Sequence, residues 1–186
     1  MTFKRWLPTF LAFPAGGLLA MGVVGSLDGP VSAAAGGLLA GAVIGAAQWL
    51  ALGTTKRWIG ATAVAMSAGS AVAAVVTDAG TSVEDLMLAG LITGAAVGAA
   101  QGMILGGTMT ATRGTTSSRV TTSHAVAGAW AAITAASWSL AWLVTYSVVG
   151  VNADQGFHVF GSSGALVATL ITGAALHVAQ RRAVAA

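Results

Sequence analysis

Few side chains in this chain have chemistry to offer, and they fall into three groups. His124 and His177 begin one apolar run and nearly end the next. If those runs are antiparallel helices, the two imidazoles share a depth and can ligate a haem iron. His158 falls at the other end of the last run. The HExxH spacing of a zinc protease is absent. No acid lies inside an apolar run to orient a histidine as a hydrolase triad requires. The competing reading of each histidine is a solvated or capping group.

The second group is Gln48, Gln101 and Gln180, each the last residue of one repeated string: LLAGAVIGAAQ at 38–48, LITGAAVGAAQ at 91–101 and LITGAALHVAQ at 170–180. The second and third copies agree at 8 of 11 positions and the first and second at 7 of 11, enough to mark an internal repeat. An unpaired amide in hydrocarbon costs about 2–7 kcal/mol. Each glutamine is therefore expected to bond a neighbouring helix, a helix end or water. The first reading is an inter-helix clamp at one rim; the second is a ring of amides that orients a polar solute or headgroup.

Third, Trp138, Trp142 and Tyr146 stand at i, i+4 and i+8, interleaved with Thr134, Ser137, Ser139 and Thr145. Such a stripe faces lipid or a neighbouring subunit on the first reading. On the second it forms an aromatic wall for a flat or apolar ligand.

The elements that carry these groups follow from hydropathy. The 186 residues are 56% hydrophobic and 7% charged, against roughly a quarter charged in soluble domains. With a mean hydropathy of +0.84, the chain cannot cover a water-facing surface. Six apolar runs of about membrane-crossing length are expected at 7–26, 31–52, 58–77, 86–108, 124–149 and 157–180. The fold class is an all-α integral membrane bundle, a single membrane domain over 1–186. Its hairpins are 1–55, 56–108 and 124–182, with a cytoplasmic loop at 109–123. The N-terminal run resembles a secretory signal. It pairs with the next run as later odd and even runs do, so it is expected to stay as the first helix. Pro14 should kink it.

Charge sorts cleanly between the two sides. Lys4, Arg5, Lys56, Arg57, Arg113, Arg119, Arg181 and Arg182 all fall on one side, and Asp28, Asp78, Glu84, Asp85 and Asp154 on the other. By the positive-inside rule both termini are cytoplasmic, in an inner membrane. Trp6, Trp49, Trp58 and Trp130 fall near the cytoplasmic ends, as an interfacial aromatic belt does. Basic pairs beside apolar runs are topological anchors, so no nucleic acid is expected as a partner.

Small residues recur every four positions on the even runs: Gly37, Gly41 and Gly45; Gly90, Gly94, Gly98, Gly102 and Gly106; then Gly161, Ala165, Thr169 and Gly173. The third run has a softer version in Ala61, Ala65, Gly69 and Ala73. Such spacing lets helix backbones approach closely in lipid, where no water-driven collapse holds them. Gly36 lies outside the stripe and is expected to tolerate a side chain. Three hairpins repeated in the same topology imply a pseudo-threefold axis along the membrane normal.

No Asp, Glu, Lys or Arg sits mid-span, which argues against a proton- or sodium-coupled carrier and against a retinal protein. Without cysteine there are no disulfides and no thiolate chemistry. No enzyme activity is expected and no cofactor is required, with haem or a lipid-like ligand as the candidates if one is bound.

The string GxxxGxxQW, Gly41 to Trp49, resembles uncharacterised small bacterial multi-span membrane proteins and implies no activity. The six-span plan with both termini inside also resembles the substrate-binding S-components of energy-coupling-factor vitamin transporters, with Ala12, Gly16 and Ala20 in the place of their small-residue docking motif. Two functions remain. One is binding or transport of a small neutral or apolar solute. The other is a structural subunit that packs into a larger membrane complex or homo-oligomer through its glycine faces.

Overall fold

The computed structural model describes residues 3–110, 116–149 and 156–185. The expected positions of Arg113 and Asp154, and the side chains of Arg119 and Arg182, lie outside the described residues.

Six helices are long and apolar enough to cross a membrane, the build of a multi-pass membrane protein. They are α1 (Phe3–Val24), α2 (Pro30–Leu52), α3 (Arg57–Val76), α4 (Val83–Thr110), α5 (Thr116–Val149) and α6 (Ser162–Ala185). Pro30 opens α2 at the first helical position, where a missing N–H costs nothing. Ser32 Oγ closes that end, accepting from Gly29 N at 3.2 Å and donating to Asp28 Oδ1 at 2.6 Å. Gly53, at φ +64°, ends α2 in the left-handed conformation that suits glycine. Ser82 Oγ accepts from Asp85 N at 3.1 Å, and Glu84 and Asp85 add negative charge to the first turn of α4.

The irregularity in α1 lies ahead of Pro14, which itself sits in regular helix. Residues Leu7–Leu11 form a tight 3-10 turn inside α1, and regular helix resumes at Ala12. Pro8 stands at the start of that turn, and Pro14 has no N–H for the carbonyl of Phe10 at its end, so prolines bracket the tightened stretch.

Each helix packs on the next in sequence, and α6 returns to pack on α1, so the six close into a ring. The closest seams join an even helix to the following odd one, across the loops on the face that carries both termini. On α2, a methyl at Gly37, Gly41 or Gly45 would fall 2.8–3.0 Å from Met66, Ala63 or Thr62 of α3. On α4, a methyl at Gly90, Gly94, Gly98 or Gly102 would fall 2.6–2.8 Å from Trp138, Thr134, Ala131 or Ala127 of α5. Only glycine permits that approach. The α6–α1 seam differs, because Gly173 rests on the rings of Trp6 and Phe3 rather than on backbone. Gly69 of α3 serves the α3–α4 seam against Thr93.

Gly36 corrects the expectation placed on it. It is buried, and any Cβ there would run into the His158 ring. His158 arrives on a segment that the sequence assigns to the sixth helix, whereas α6 starts only at Ser162. Residues 156–161 are non-helical, and Val159 and Phe160 are buried. The 109–123 loop is shortened from both sides, since α4 runs to Thr110 and α5 begins at Thr116.

The distribution of side chains is inverted relative to a soluble bundle. Leu18, Val23, Val31, Leu50, Val64 and Val75 are exposed, while Gln48, Thr62, Gln101, Thr134 and Ser137 are buried. Apolar side chains outward and polar ones inward is the arrangement that hydrocarbon solvates and water does not.

Candidate functional site

Gln48 of α2 and Gln101 of α4 meet inside the bundle, one turn from the end of α2. Gln101 Nε2 donates to Gln48 Oε1 at 2.9 Å and to Thr62 Oγ1 at 2.9 Å. Trp58 Nε1 donates to Gln48 Oε1 at 3.1 Å, and Trp130 Nε1 donates to Gln101 Oε1 at 3.1 Å. Each tryptophan belongs to the odd helix that the glycine stripe has drawn close, Trp58 in the first turn of α3 and Trp130 within α5, so the close seam and the indole–amide bond belong together. Thr62 and Thr134 return their hydroxyls to Trp58 O and Trp130 O at 2.8 Å. No charge enters this node, and both indoles, both amide oxygens and the Gln101 amide nitrogen have partners in it.

The tryptophans are therefore not the interfacial belt their positions suggest. Trp6, Trp58 and Trp130 are buried, with each N–H spent on an internal acceptor. Trp49 is half-buried and donates to Thr54 O at 2.9 Å. A signal in the sequence marks the inward pair: Trp-x-x-x-Thr occurs at 58–62 and again at 130–134. In α1 the corresponding position after Trp6 is Phe10, and Trp6 Nε1 donates instead to the backbone oxygen of Thr169 at 3.1 Å.

Gln180 does not join its counterparts. It is half-buried near the end of α6 and makes no hydrogen bond to the described residues. His124 and His177 are both exposed. Among the described residues no group of three His, Asp or Glu side chains is placed to hold a metal.

The aromatic stripe of α5 points into the protein. Trp138 and Trp142 are buried and Tyr146 is half-buried against the same core, which excludes the lipid-facing reading for the two tryptophans. Their partner is Phe160 of the non-helical segment, whose ring meets Trp138 at 5.4 Å and Trp142 at 6.0 Å edge-on. Phe13 stacks on Phe160 at 5.0 Å and meets Trp138 at 5.8 Å. Edge-to-face geometry of this kind is the favoured one for aromatic pairs.

The 156–161 segment is pinned to the loop after α1. Gly156 O accepts from Leu27 N at 2.8 Å, and His158 Nε2 lies 2.8 Å from Gly25 O. Gly156 has φ +68°, and a Cβ there would fall 2.9–3.0 Å from the Leu27 backbone, so the position suits glycine. Since Gly25 O can only accept, Nε2 carries the proton, and the buried Nδ1 is left an acceptor without a partner.

Two cavities flank this aromatic wall. One, of about 50 Å³, lies beneath the 77–81 and 156–160 loops and is bordered by Ser70, Thr93, Trp138, Trp142, His158 and Phe160. Ser70 and Thr93 are buried and make no hydrogen bond to the described residues, unlike Thr62, Thr134 and Thr172, which bond their own helix. The other is an apolar groove of about 200 Å³ between α1 and the non-helical segment, bordered by Pro14, Leu18, Met21, Trp142, Phe157 and Phe160. Leu18 is exposed, so the groove opens on the side that hydrocarbon would wet.

Comparison of the chain with protein-family models, with curated proteins and with solved structures gives no match to any of them.

Proposed function

We propose that the chain binds, or helps to move, a small neutral or apolar solute at the Trp142–Phe160 wall. The observation that carries this reading is the segment 156–161, non-helical backbone held among membrane-type helices with a cavity on each side of Phe160. Backbone of this kind is tolerated at membrane depth where it is buried in protein or lines a cavity, and it marks binding sites in transporters. The groove supplies an apolar approach from the lipid side, and Ser70, Thr93 and His158 supply hydrogen-bonding groups beyond the wall. The cavities suit a small molecule, since ligand pockets for drug-sized molecules run about 300–1,000 Å³. In this reading the chain lies in an inner membrane with both termini cytoplasmic, as the sorting of Lys and Arg against Asp and Glu favours.

A structural subunit that docks through glycine faces is the weaker reading. The stripes of α2 and α4 are consumed against α3 and α5, and Gly173 against α1, which leaves none of them for a partner.

Native mass spectrometry of the chain released from mild detergent tests the proposal. A small-molecule adduct on the wild-type chain, lost in Trp142→Ala and retained in Gln180→Leu, is the expected result. A bare chain that also fails to bind apolar probes added to saturation overturns it, and a co-purifying polypeptide would favour the subunit reading.

A further inference from the structure

The amide node has a direction, and its last link is open. An indole N–H only donates, so the Trp58 and Trp130 bonds fix both glutamines with Oε1 toward the indoles. Gln101 Nε2 then spends its two N–H groups on Gln48 and Thr62. Gln48 Nε2 also carries two N–H groups, and neither has an acceptor among the described residues, although the side chain is only 6% exposed.

Gln48 borders a small chamber of about 10 Å³, bordered also by Trp6, Gln101, Trp130, Thr169 and Thr172. With Oε1 tied to Trp58 and Gln101, the amide nitrogen is what remains to face it. The repeated string would supply a third amide here from α6. Instead α6 brings Thr169 and Thr172 to this level, and Gln180 sits about two to three turns further along. Thr172 Oγ1 donates to Ala168 O at 2.7 Å, whereas Thr169 borders the chamber and its hydroxyl makes no hydrogen bond to the described residues.

We propose that this chamber is a binding site for one small neutral hydrogen-bond acceptor, a single water, held between Gln48 Nε2 and Thr169 Oγ1. The volume admits one water and nothing larger, since about 10–15 Å³ is what one water needs. Water accepts from Gln48 and can donate to Thr169 and to the free lone pair of Thr172, which meets the two to four polar partners a buried water requires. A cation is disfavoured, because the amide presents N–H groups and no carboxylate borders the chamber. An anion would be buried with no positive charge beside it. The site is separate from the Trp142–Phe160 wall and stands whether or not a solute binds there.

The test is a water–protein NOE measurement on the full chain in lipid nanodiscs, with glutamine side chains labelled with ¹⁵N. The Gln48 amide protons are expected to show a cross-peak to water with the sign of a long-lived bound molecule. Thr169→Ile, which fills the chamber with apolar atoms, should abolish it while the Gln101 amide resonances stay in place. If that variant does not fold, Thr169→Val keeps the size and removes the hydroxyl, and the cross-peak should weaken at least about twofold. No cross-peak in the wild-type chain overturns the proposal, as does one that persists unchanged in a folded Thr169 variant.

Discussion

Gln101 Nε2 lies 2.9 Å from Gln48 Oε1, joining two copies of one repeated string inside the bundle. Each amide also receives the indole of the odd helix packed against its own, so one node ties together α2, α3, α4 and α5.

Gln101→Leu leaves the Trp130 N–H buried without an acceptor. It is expected to cost about 1–3 kcal/mol, the usual penalty for one orphaned buried group. Gln180→Leu removes no hydrogen bond and should change stability by less than about 0.5 kcal/mol. Thermal unfolding of both variants in one mild detergent checks the contrast, and equal losses would refute the node. Combined with Trp130→Phe, Gln101→Leu should also show a coupling energy of about 0.5–3 kcal/mol in a double-mutant cycle.

The indoles themselves are expected to rank. Trp130→Phe strands Gln101 Oε1 beside a phenyl ring that has no N–H to donate, whereas Trp6→Phe leaves Thr169 O with its own helical partner. Trp6→Phe should therefore destabilise less, near the ~1 kcal/mol of a single net hydrogen bond. Denaturant titration of the two variants reads the order directly, and the reverse order would contradict the assignment of partners.

Glycine substitutions separate by what a side chain would meet. Gly94→Leu and Gly36→Leu should both abolish the folded bundle, the first against α5 backbone and the second against the His158 ring. Gly60 faces open space, and Gly60→Leu should leave the detergent melting temperature unchanged or raise it. Size-exclusion profiles and melting curves of the three are the check; a normal Gly36→Leu protein would remove the His158 contact from the account.

His158→Leu deletes the bond to Gly25 O that holds the non-helical segment against the first hairpin. Amide hydrogen exchange over 156–161 is expected to accelerate by about tenfold or more, with α2 and α4 unaffected. Unchanged protection would mean that Phe160 packing and the Leu27–Gly156 bond hold the segment by themselves.

How far the sequence foretells these features depends on what each costs in hydrocarbon. Six helices follow from apolar run length and sorted charge, because a mid-span charge or a broken run is expensive in lipid. The expected 31–52 and 58–77 fall within a residue of Pro30–Leu52 and Arg57–Val76. The run at 157–161 misleads for the same reason, since Phe157, Val159 and Phe160 are as apolar in an extended segment as in a helix. Position near a helix end likewise suggests a lipid interface for Trp58 and Trp130, and only their internal acceptors turn them inward. Gly36 escapes a stripe-based reading because its neighbour is a side chain more than a hundred positions away.

The ring closes by setting the last helix against the first, and this bears on how the chain is made. Helices enter the bilayer in order, so α1 waits beside α2, held where Gly16 meets Ala40, while α3, α4 and α5 are still being synthesised. Until α6 arrives, Trp6 has no Thr169 to donate to, and Gly173 is not yet there to cover its ring; the first helix takes its final place only when the last one is made.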